Sequence, residues 1–293
     1  MRGPSTEITQ EASQRPGLSA VGSVVRRHDR DRFQTALFAP GRHREALFAL
    51  YAFNYEIARV REIVREPMLG QIRLQWWREV VDAAYADAIP RRHQIVEALS
   101  MTIRDHSLSR DHFDRLIDAR ERDLDDTPPA TLEALEEYAE GSSSRLIQLA
   151  LEVLGAATPE AQVAAAEVGI AYALAGLIRA MPAHAAAGRI MIPDDVAAEA
   201  GLDRGDYAAR RGSPALRHAV AILTGAVTRR LAAARAMRRD LPKTALPALL
   251  PARIAEEVVK RLERAEFDPF AGAGLRDPLQ SWRLVYAALR RRF

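Results

Sequence analysis

The sequence predicts an all-α protein built as one helical domain, and three observations carry that prediction. Apolar residues from Gly41 onward recur at helical spacings of three and four. No stretch alternates apolar and polar residues for more than a few positions. Neither a repeat period nor a long Gly/Ser linker divides the 293 residues. With 48% hydrophobic and 28% charged residues, the composition is that of a soluble globular protein, and the length allows a sizeable core.

Taken in order, the first twenty residues are polar, with several Gly, Pro and Ser and no apolar signal-peptide core. Residues 1–22 are therefore expected to form a disordered tail. Leu50, Phe53, Ile57, Val60 and Val64 then fall on one stripe that faces inward. Pro67 ends that helix. The next, over 68–85, carries Ile72, Leu74, Trp76, Trp77, Val80, Val81 and Ala84 over a wide arc, which predicts burial on more than one side. Further helices are predicted over 92–107, 110–123, 131–154, 159–179, 213–240, 251–265 and 278–291. Pro128 and Pro129 separate two of them, and Thr131 is an expected N-cap with Glu133 in its first turn.

Several functional classes drop out at this level. The balance of 42 basic and 39 acidic residues gives a net charge of only +3, so no nucleic-acid partner is implied. With no cysteine, disulfides, thiolate metal sites and a cysteine nucleophile are excluded. The longest apolar run, 168–178, is short of the roughly 20 residues of a membrane span, so any membrane contact is expected to be peripheral. No Gly-rich phosphate loop, HExxH or GxSxG motif is present. The acidic patch Asp123, Asp125 and Asp126 precedes two prolines and reads as a solvated helix end. Trp76 and Trp77 read as core and wall residues.

Three segments carry a family likeness. They are Phe48-Ala49-Leu50-Tyr51-Ala52-Phe53-Asn54 followed by Leu74-Gln75-Trp76-Trp77-Arg78-Glu79; Leu116-Ile117-Asp118 through Asp123-Leu124-Asp125 to Leu135-Glu136-Glu137-Tyr138; and Gly188-Arg189-Ile190-Met191-Ile192-Pro193. In order and spacing these resemble the squalene/phytoene synthase family, from about Val24 to the C-terminus. The resemblance implies an all-α isoprenoid-synthase-like domain over 23–293. It also implies two aspartate pairs at i, i+4, which in the family's enzymes hold Mg²⁺ against a diphosphate leaving group.

Here the expected pairs fall on Ala58 and Glu62, and on Ala180 and His184, so one of four positions keeps a carboxylate. One histidine and one carboxylate supply too few ligands for a metal site, and neither metal nor catalytic residue is expected. Tyr51 and Asn54 are expected to line a cavity. Arg59, Arg61, Arg179 and Arg189 lie in or beside the altered motifs, where arginine can bind phosphate bidentately without metal. In a chain this rich in arginine, the plainer reading is surface or interface residues.

Further likeness runs through Arg27-His28-Asp29, Ala52-Phe53-Asn54, Arg122-Asp123-Leu124-Asp125-Asp126, Tyr138-Ala139-Glu140 and Phe267-Asp268. It is similar to a catalytically degenerate branch of the family whose mitochondrial member assists assembly of respiratory complex I. That likeness implies a non-catalytic assembly or scaffold protein with complex I subunits or assembly intermediates as partners and no cofactor. The expected location is the cytoplasm, peripheral on the cytoplasmic face of a bacterial inner membrane, since no transit peptide is read. The alternatives are a Mg²⁺-dependent prenyl-diphosphate transferase of squalene/phytoene synthase type and a non-catalytic isoprenoid or lipid carrier.

Overall fold

The computed structural model describes residues 17–64, 66–271, 280–290 and 292–293, and among them there are helices and turns but no strand. The chain enters through α1 (Ala20–His28), whose Ser19 cap hydroxyl accepts from the Gly22 amide at 3.0 Å. It turns directly into α2 (Arg30–Ala36), where the Asp29 carboxylate accepts from the Arg32 amide at 3.1 Å. Both helices are additions to the sequence reading. Ala20, Val21 and Gly22, assigned to the tail, instead form the first turn of α1. Val21 and Gly22 are buried there, with Gly22 close to Phe48. The rest of the predicted tail, residues 1–16, lies outside the described residues.

α3 (Gly41–Ala58) buries Leu50, Phe53 and Ile57 of the predicted stripe, and Val60 follows on α4 (Val60–Ile63) after a one-residue break; Val64 is extended, so the helix ends before Pro67. α5 (Pro67–Tyr85) starts with proline in its first turn. It is buried on one stripe only, Gly70, Leu74, Trp77, Val80, Val81 and Ala84, while Met68, Leu69 and Ile72 stand in solvent. The expected two-sided burial is thus corrected: Ile72 is exposed and Trp76 only half-buried, while α6 (Gln94–His106) and α7 (Arg110–Glu121) pack on α5. Phe53 anchors this half of the core, edge-on to Trp77 at 5.3 Å and to Phe113 at 5.5 Å.

The predicted helix over 131–154 is really three pieces: α8 (Leu132–Ala139), a π-turn (Glu140–Ser144) and α9 (Arg145–Val153). Gly141 and three consecutive serines, all buried, form the π-turn against α10 (Pro159–Ala186). At the contact a Cβ on Gly169 would lie 2.3 Å from Ser144 Cα, so only glycine admits this approach.

α10 passes through Pro182 to Ala186 rather than ending at Arg179. By length and composition it could cross a membrane, yet 61% of its most apolar window is buried within the fold, where it packs on α13 and α15. α11 (Asp194–Ala200) and α12 (Arg204–Ala208) are too short to show periodicity. α13 (Pro214–Ala236), α14 (Leu246–Leu249) and α15 (Pro251–Arg264) complete the second half of the core. α16 (Gln280–Leu289) lies on α15.

Candidate functional site

The four motif positions lie on three helices. Ala58 closes α3, and Glu62 is exposed on α4. Ala180 and His184 sit one turn apart on the last turns of α10. Burial holds the His184 imidazole below its ordinary pKa, and Arg189 pushes in the same direction against Asp123, so it is neutral at pH 7. Its buried Nδ1 has no protein partner. Mg²⁺ is a hard ion that takes oxygen ligands. Two alanines, a neutral histidine and one exposed glutamate do not fit it. Among the described residues, no three His, Asp or Glu side chains group as a metal site.

The arginines beside these positions are held by carboxylates of the chain itself. Arg179 Nη1 lies 3.0 Å from Asp31 Oδ2 on α2, and the same carboxylate accepts from Gln280 at 2.8 Å and Tyr172 at 3.3 Å. Burial opposes ionisation of Asp31. The Arg179 charge and the hydrogen bonds from Gln280, Arg179 and Tyr172 outweigh it and keep the carboxyl below its ordinary 3.8. Next to it, Arg32 pairs with Asp29 at 2.8 Å and lies over the Tyr172 ring at 4.9 Å. Tyr51 is buried beside this cluster, and burial raises its phenol pKa. Asn54 is buried one turn further on, and its Oδ1 has no protein donor.

A second carboxylate spans the two motif regions. Asp126 accepts two hydrogen bonds from Arg61 Nη2, at 2.7 and 2.9 Å, and its Oδ1 also faces Arg189 Nε at 3.5 Å. The Arg189 contact is an ion pair without hydrogen-bond alignment, since that Nε is otherwise unsatisfied. Asp123 is nearly enclosed. It accepts from the Tyr138 hydroxyl at 2.8 Å and from Arg120 at 3.2 Å, and Arg120 also donates to the Tyr138 oxygen at 2.9 Å. The solvated reading of the acidic patch holds for Asp125, which accepts from Thr127, and for Asp126, which stays 59% exposed while paired with Arg61. It is corrected for Asp123, which is only 13% exposed and held by Tyr138 and Arg120. Arg59 turns to Glu56 at 3.2 Å and to the Tyr55 ring, and joins neither cluster.

A cavity of about 660 Å³ opens where the α1–α2 corner meets α10, α15 and α16. Of the predicted positions, Arg179 and Ala180 line it. Its wall is apolar at Ile254, Val258 and Leu284. Its arginines are neutralised locally: Arg32 by Asp29, Arg179 by Asp31, Arg253 by Glu256, and Arg261 and Arg283 by Glu257. Among the described residues, Arg30 is the cavity arginine without a carboxylate partner. Sequence reasoning missed Asp29, Asp31, Arg32, Arg120 and Gln280. The available signal was the run of alternating charge from Asp29 to Arg32, too polar to register as helix.

The sequence matches the family described as squalene/phytoene synthase over residues 25–290. It is 32% identical over 284 residues to "NADH dehydrogenase (ubiquinone) complex I, assembly factor 6" of Bos taurus, covering 92% of this chain and 85% of that one. The Homo sapiens protein of the same name is 30% identical over 271 residues, with coverages of 90% and 81%. A presqualene diphosphate synthase of Rhodopseudomonas palustris is 26% identical over 168 residues, 57% of this chain and 59% of that protein. Among solved structures, a squalene synthase from Alicyclobacillus acidocaldarius superposes with TM-score 0.76 at 23% identity, covering 85% of this chain and 94% of that one. A dehydrosqualene synthase gives 0.81 at 17% identity, covering 92% and 94%. At these identities the structural likeness is one of fold. The sequence match spans nearly every described helix, and on that ground the chain belongs to the squalene/phytoene synthase family.

Proposed function

We propose that this protein is a non-catalytic squalene/phytoene synthase-like factor that serves the assembly of respiratory complex I while bound peripherally to the membrane. The observation that carries the non-catalytic part is the internal neutralisation of the motif arginines. Asp31 occupies Arg179, and Asp126 occupies Arg61 and faces Arg189, where a diphosphate and its cations would have to displace them. Displacing Asp31, which is only 16% exposed, from Arg179 costs about 2–3 kcal/mol before any ligand is held, and displacing the exposed Asp126 adds at most about 1 kcal/mol. The motif positions also keep only one carboxylate, Glu62, too few oxygen ligands for a divalent cation to offset that cost. The assembly role is supported by relatives named complex I assembly factor 6 at 30–32% identity over most of both chains.

Deleting the gene in its source organism and resolving membrane complexes on native gels tests the role. The expected result is loss of mature complex I with accumulation of a smaller intermediate, restored by a plasmid copy. Normal complex I in the deletion strain contradicts it.

A further inference from the structure

α16 has two apolar faces. Leu284 and Ala287 are buried in a cluster with Tyr172, Leu250 and Ile254. On the opposite side Trp282, Val285, Tyr286 and Leu289 fall at i, i+3, i+4 and i+7, and they stand in solvent, Trp282 at 72% and Leu289 at 80% exposure. Scattered exposed apolar residues are ordinary, whereas a continuous stripe with two aromatic residues marks a surface that meets something.

The charges around the stripe indicate what it meets. Residues 280–293 contain four arginines and no acidic residue. Arg290 lies over the Tyr286 ring at 5.1 Å. The Phe293 carbonyl accepts from Arg235 Nε at 3.2 Å, which joins the end of α16 to a basic hollow lined by Arg238, Arg239 and Lys243. Asp240 is the one carboxylate in that segment, and none of Arg238, Arg239, Lys243, Arg290 and Arg292 has an ion-pair partner among the described residues. Trp and Tyr favour the bilayer interface, and unpaired arginines beside them favour anionic headgroups.

We propose that α16, with Arg290, Arg292, Arg238, Arg239 and Lys243, docks the protein on an anionic phospholipid bilayer. Trp282, Tyr286 and Leu289 enter the boundary between headgroups and acyl chains. The inference rests on the peripheral-membrane part of the proposed function and assigns it to one face.

The test is co-sedimentation of the full chain with vesicles of phosphatidylcholine alone and of phosphatidylcholine with phosphatidylglycerol. The expected result is binding to the mixed vesicles only. Binding falls about tenfold in the W282S/L289S variant and about fivefold for each arginine removed in R290Q/R292Q. A blue shift of tryptophan emission accompanies binding and disappears in W282F, since Trp77 is buried and Trp76 is half-buried. Undiminished binding of W282S/L289S, with an unchanged circular-dichroism spectrum, overturns the assignment to α16 and leaves the membrane reading standing. Failure of the wild-type protein to bind either vesicle overturns both.

Discussion

The Asp31 carboxylate on α2 meets the Arg179 guanidinium on α10 at 3.0 Å, one residue before Ala180, an expected motif position. A fixed carboxylate thus holds the arginine that flanks the altered motif, and the pair ties the entrance of the chain to its central helix. D31N is expected to destabilise the protein by about 2–3 kcal/mol at pH 7, read by urea denaturation, because Arg179 and the Tyr172 hydroxyl lose a charged acceptor. Since the folded carboxyl titrates below 3.8, its stabilisation is fully present above that value. It fades as pH falls through the lower, folded value. The acid limb of the stability curve is therefore shallower in D31N.

Two neighbouring aspartates are expected to respond differently to the same change. D126A costs at most about 1 kcal/mol, because Asp126 is 59% exposed and its pairs with Arg61 and Arg189 are solvent-screened. D123A costs about 3 kcal/mol, because Asp123 and Arg120 are each only 13% exposed and the arginine is left uncompensated. Equal losses for the two variants count against the burial argument.

Gly169→Ala is expected to lose about 1–3 kcal/mol by overpacking, since the new methyl group meets the Ser144 backbone rather than a movable side-chain end. Gly176→Ala on the same helix, with open space around its Cβ, is the matched control and gains slightly. Thermal melting of the two variants side by side reads the difference.

His184→Gln is expected to flatten the pH dependence of stability on the acid side of neutrality. The His184 imidazole titrates below 6.5 in the fold, so its contribution is present above 6.5 and is lost as pH falls through the folded value. His43 and His112 have the same sign through burial and leave a residual slope. An identical slope in wild type and variant between pH 7 and 5 contradicts the buried, neutral imidazole.

The long helices were legible because their apolar stripes repeat over several turns, as in α3, α10, α13 and α15. α1 and α2 were not, since Arg26, Arg27, His28 and the charges from Asp29 to Arg32 hide a few buried apolar positions in short helices. The break at Gly141 was invisible because a π-turn preserves helical spacing to either side. The sequence names Ala58, Glu62, Ala180 and His184 as the expected motif positions. The internal ion pairs of the arginines beside them could not be read, because Arg61 reaches Asp126 across 65 residues and Arg179 reaches Asp31 across 148. Only the packed fold brings such pairs together. The same limit explains why Ile72 was expected inside though it is 59% exposed, since hydrophobicity alone does not tell a covered arc from a bare one.

The most direct test of a non-catalytic protein is calorimetric titration with farnesyl diphosphate in the presence of Mg²⁺, with diphosphate release followed in the same sample. The self-neutralised arginines and the missing oxygen ligands predict no metal-dependent heat and no release. Saturable, Mg²⁺-dependent binding accompanied by release of diphosphate would contradict the account.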